Sequence, residues 1–153
     1  MKAGRLAIAA IVLWAATAAA AAWFFVHGTT APGSDGRTAI VLSAAERDFV
    51  LGEMRGLLAG TQGILDGIQR GDRDRIASAA RSMGMGSAVD VDPALMTRLP
   101  LPFKQLGFSM HGDMDALAQA AQAGKPIPEL QRMLADDLSK CVGCHSAWQL
   151  TSR

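Results

Sequence analysis

The chain has no tyrosine, only five phenylalanines and three tryptophans in 153 residues. With alanine abundant, that shortage argues against a sandwich or barrel and for helices. Cysteine is confined to two positions, Cys141 and Cys144, so no disulfide framework is available. An excess of one charge is also missing. Lys2 and Arg5 at the amino end account for two of the 15 basic residues, which leaves 13 against 14 acidic ones. There is no basic stripe, which excludes nucleic acid as a partner. No acid/base pair is positioned by the sequence, so it points away from an enzyme.

What is present is decisive in one place. Cys141-Val142-Gly143-Cys144-His145 is a C-x-x-C-H run, the attachment signature of a c-type haem. Two thioethers form to the porphyrin, and the histidine is held against the iron as proximal ligand. On a helix these three residues fall at i, i+3 and i+4 and share one face. A structural zinc needs four nitrogen or sulfur ligands. Beyond the motif the chain offers only His27 and His111, and His27 lies in the leader. A thioredoxin-like pair needs a βαβ context, and no strand pattern is read in the flanks. A 141–144 disulfide leaves His145 without a purpose. The cofactor expected is one covalent haem c.

Leu6 to Val26 is a 21-residue uncharged stretch preceded by Lys2 and Arg5. This reads as an export segment, residues 1–27, with its amino end left in the cytoplasm. Its length suits a spanning helix, and Trp23, Phe24 and Phe25 suit an interfacial belt. Ala18 to Ala22 offers A-x-A cleavage options, so a signal peptide is the competing reading to an uncleaved anchor. Either way the domain is expected on the periplasmic side of the inner membrane, anchored or soluble.

Residues 28–42, rich in Gly, Thr and Ser, are expected to be a flexible tether. Residues 43–153 are expected to form the cytochrome domain. Ser43 and Glu46 have the form of a capping box. The helix they open carries Val50, Met54, Leu57, Thr61, Ile64 and Ile68 at alternating gaps of four and three. Gly71 ends it and Asp72 caps a shorter second helix with Ile76, Ala80 and Met83. Residues 87–102, with three prolines, read as a connector. Phe103, Gly107, Met110, Met114, Leu117 and Ala121 mark a third helix. Leu134, Leu138, Cys141 and His145 mark a fourth, which places the motif on its core-facing stripe. The fold class expected is all-α: an antiparallel four-helix bundle around a covalently bound haem, preceded by the transmembrane or signal helix.

With the motif on a fourth helix toward the carboxyl end, the sequence resembles the cytochrome c′ family over about residues 43 to 149. An aromatic three places after the histidine is common there, and Trp148 matches. The basic residue that commonly follows is Gln149 here, a departure. The resemblance implies two branches. In the low-spin branch a methionine of the first helix ligates the iron and the protein carries electrons; Met54 is the matching residue and this branch is favoured. In the high-spin branch the iron is five-coordinate and binds NO or CO. Methionine opposite histidine suits electron transfer, although methionine at helical spacing is also ordinary core filler. Met83, Met110, Met114 and Met133 are assigned to packing. His111, one residue off the third seam, is assigned to the surface or boundary. Arg47 and Arg55 flank Met54, where either is solvated or meets a propionate. Partners are expected to be redox proteins of the periplasm or inner membrane, with a homodimer among the family's habits. Weak peroxidase-like reactivity at an open iron is compatible with this reading.

Overall fold

The computed structural model describes residues 2–88 and 91–152; Met1, Arg153 and two connector residues, Val89 and Asp90, lie outside the described residues. Among the described residues the chain is mostly helical, with six α-helices. Helix α1 spans Lys2–His27 and is long and apolar enough to cross a membrane, at a mean hydropathy of 2.0. A signal sequence passes the same test.

Helix α2 spans Ala44–Arg70. Its start is the expected capping box: the Ser43 hydroxyl accepts from the Glu46 N–H, and the Ser43 N–H donates to the Glu46 carboxylate at 2.7 Å. It stops at Gly71, whose φ of 66° is left-handed and strained for any side chain. Asp72 then caps α3, Arg73–Arg81, by accepting from the Arg75 N–H. Helix α5 spans Leu101–Gln122 and α6 spans Ile127–Ala147, each with proline in its first turn.

α2 packs on α3, α3 on α5 and α5 on α6. Ile64, Ile76, Met114, Leu117, Leu130 and Leu134 fill the core between them, and Leu57 and Ile68 pack on its margin. Gly60 leaves room for the Met83 side chain, which follows the end of α3 and would meet a Cβ there.

Three expectations are corrected. Residues 28–42 are not a featureless tether. They carry strands β1, Thr30–Pro32, and β2, Thr38–Leu42, paired antiparallel. A third strand, β3, Trp148–Ser152, follows the motif directly and pairs parallel with β2, setting Ile40 against Leu150. The expected absence of strand from the motif's flanks is therefore wrong on its carboxyl side. The cause is burial: Ile40, Val41 and Leu42 form an apolar run, two of them β-branched, buried in the central strand of the sheet. The connector also holds structure. A 3-10 turn covers Met85–Ala88, and helix α4 covers Pro93–Arg98, capped by Asp92. Leu95 and Leu99 join Ile40, Leu42 and Val50 in a second core. That core rests on residues expected to be linkers.

Candidate functional site

Cys141, Cys144 and His145 occupy the last two turns of α6, where the helical seam runs out of the first core. The second core begins with Trp148, Phe103 and Met54 on its margin. The motif therefore sits where two cores meet imperfectly. Two adjoining cavities mark the gap, of about 160 and 100 Å³, both open to solvent. They share Met54 from α2, Phe103 from α5, and Cys144 and His145 from α6.

The inner cavity brings all three motif side chains together with Met54, Leu57, Leu106 and Met110. Its walls are apolar apart from Lys140. The outer cavity is more polar, with Arg37, Arg47 and Gln149 beside Leu51 and Leu150. The two cysteines are half-buried, while His145 is exposed rather than tucked into the core stripe. Phe103 and Trp148 pack edge to face, centroids 6.2 Å apart, and wall off one end. Trp148 itself is not helical, because α6 ends one residue before it.

Burial pushes both thiols up, with the Asp137 charge adding to the effect at Cys141 and Cys141 adding to it at Cys144. A pair at a helix carboxyl end with raised thiols is the reverse of a thioredoxin-type site, which needs a stabilised thiolate. Among the described residues no three His, Cys, Asp or Glu side chains group to hold a bare metal ion. A porphyrin makes a smaller demand: two sulfurs on one face, one imidazole beside them and an apolar slot. The residues present fit that group.

Other sequence-selected residues are sorted by the same geometry. His111 lies off this site: its Nδ1 meets the Met83 carbonyl at 2.7 Å, and it borders a separate groove with Phe49, Leu95 and Phe108. Met83 and Met114 are core, and Met133 packs against it. Met110, assigned to packing, is buried and also borders the motif. Arg47 reaches the outer cavity; Arg55 does not line either.

Arg37 is the residue that sequence reasoning missed. It sits just before β2 and donates to the carbonyls of His145 at 3.2 Å and Trp148 at 3.3 Å. Asp35 holds it in place, Nη2 to Oδ2 at 2.7 Å, and Arg37 in turn lowers the Asp35 carboxyl below its usual range. Only the parallel pairing of β2 with β3 brings Arg37 to the motif, and no local pattern signals that pairing. Comparison with protein-family models, with curated proteins and with solved structures gave no match.

Proposed function

We propose that the chain is a mono-haem c-type cytochrome that carries electrons on the periplasmic side of the inner membrane. The observation that carries this reading is the convergence of Cys141, Cys144, His145 and Met54 on one apolar cavity. Cys141 and Cys144 would hold the porphyrin through thioethers, and His145 and Met54 would ligate its iron. Bound haem supplies a one-electron ferric/ferrous couple. The chain's part is to exclude water with Phe103, Leu57 and Leu106, and to keep both ligands in place in either oxidation state. Arg47, which lines the more polar cavity, would be the cation for a porphyrin carboxylate, in place of the basic residue missing at Gln149. In this reading α2, α3, α5 and α6 are the four-helix frame around the haem, as in the cytochrome c′ family.

The membrane anchor is supported by the way α1 meets the domain. Lys104 is 5 % exposed; its ammonium donates to the carbonyls of Phe25 at 2.7 Å and Met96 at 3.1 Å and lies 3.6 Å from the Phe25 ring centroid. Thr29 N–H donates to the Arg98 carbonyl at 2.8 Å. A tethered carrier meets membrane redox proteins at raised effective concentration.

Optical spectra of protein exported in a host with haem-maturation machinery test the reading. The expected result is a low-spin haem whose ferric form shows the far-red band of Met ligation. Met54→Ala should turn it high-spin. A coloured protein that is high-spin from the outset points instead to binding of NO or CO, and a colourless one with no added haem mass ends the proposal.

A further inference from the structure

Asp137 lies one turn before Cys141 on α6. It is 3 % exposed, and its Oδ1 has no hydrogen-bond partner. Buried polar atoms are nearly always satisfied, so an orphan carboxylate oxygen calls for an occupant. The charged groups that face it come from two helices. Asp113 and His111 belong to α5, and Lys140 belongs to α6. Lys140 is already engaged by the Asp113 carboxylate and the Ser109 hydroxyl. His111 spends Nδ1 on the Met83 carbonyl. From α2 the core receives Leu57 and Ile64, and from α3 Ile76, Ala77 and Ala80. An anion at Asp137 is thus poorly compensated, and protonation removes the charge while letting the carboxyl hydrogen-bond to Asp113.

The i, i+4 spacing puts this carboxyl on the face of α6 that carries Cys141, and its charge is felt at that sulfur. Ferric iron carries one positive charge more than ferrous iron. In a low-dielectric surround, a nearby anion favours the ferric state, and reduction favours protonation of that anion.

Resting on the haem reading above, we propose that Asp137 is a redox-linked proton site, taking up one proton from solvent when one electron enters the iron held by His145. The electron comes from a one-electron donor protein. One O–H bond forms on Asp137, no other bond changes, and the domain's net charge is conserved. Oxidation returns the proton to solvent. Burial, then the Asp113 charge, pushes the carboxyl up to about 6, which puts the exchange near neutral pH.

Spectroelectrochemical titration of the full chain in detergent, across about pH 5 to 8, decides the matter. The midpoint potential should fall as pH rises, approaching about 59 mV per unit, the one-electron equivalent of a tenfold change. Asp137→Asn should flatten that slope while the spectrum stays unchanged. Asp113→Asn, which removes a repelling carboxylate, should move the sloping window to lower pH. His111→Gln should leave the slope in place. A flat wild-type profile, or a slope that survives Asp137→Asn or disappears in His111→Gln, overturns the assignment. Should Asp137→Asn fail to fold, dye-detected proton uptake by the wild type on reduction replaces it: near one proton per iron supports the site, and none overturns it. A coloured protein with a flat profile defeats this inference alone; a colourless one defeats the haem reading and this inference with it.

Discussion

The burial of Asp137 has consequences for stability. An aspartate in an unfolded chain titrates near pH 3.9, whereas here the folded carboxyl is pushed up to about 6. The folded state therefore binds the proton more tightly than the unfolded one. This favours the fold fully below about pH 4, and the advantage is lost as pH rises through about 6. Above that, the charged group costs on the order of 1–3 kcal/mol. Asp137→Asn is thus expected to raise the urea midpoint at about pH 8 and to change it little near pH 4; an equal gain at both would show that charge burial is not the cause. The two methionines at the motif are also separable at this scale. Met110 is buried in the first core, while Met54 is half-buried on the margin of the second. Met110→Ala should cost about 2–5 kcal/mol in thermal unfolding and leave the haem spectrum low-spin. A high-spin product from Met110→Ala, with Met54→Ala silent, would exchange their roles.

The strands carry the argument among elements. β2 is buried along most of its length, and Ile40 is fully so, at the centre of a sheet that ties the start of the domain to the end of the motif helix. Ile40→Ala should lower stability by about 2–5 kcal/mol, measured by denaturant melts; a loss below about 0.5 kcal/mol would mean that the sheet is peripheral. The contact between α2 and α3 is tight at Gly67, where a Cβ would lie 3.0 Å from the Ile76 backbone nitrogen and 3.1 Å from the Asp72 carbonyl. Backbone gives way less readily than a side-chain tip, so Gly67→Ala should destabilise by about 1–3 kcal/mol despite alanine's better helix propensity. The helices and their caps could be read in the sequence because their signals are local: an alternation of four and three along a seam, Ser43 with Glu46, Gly71 with Asp72. The strands could not. β2 is five residues long and β3 follows a helix without a turn signal. Each finds its partner at the far end of the chain.

For the whole molecule, α1 and the domain are joined through Lys104, Phe25 and the Thr29–Arg98 bond rather than through a loose linker. An anchored protein should stay with membranes through an alkaline carbonate wash, and its mature mass should retain residues 1–27. Release into the soluble periplasmic fraction, with that mass lost, would establish cleavage. Lys104→Met leaves two carbonyls without their donor and should speed proteolysis around residues 28–29 in detergent; unchanged cleavage would show that the junction does not depend on Lys104. The sequence alone determined the C-x-x-C-H run, the apolar amino-terminal helix, the four principal helices and the seam on which Met54 lies. Each of these is written in neighbouring residues or in helical spacing, and needs no knowledge of distant partners. Tertiary structure decided what surrounds the motif: Arg37 delivered by a strand pairing, Phe103 against Trp148, Met110 beside the cysteines, and a carboxyl at Asp137 closed off from water. Those follow from how two small cores abut, and that depends on the packing of segments far apart in the chain, which no local pattern records.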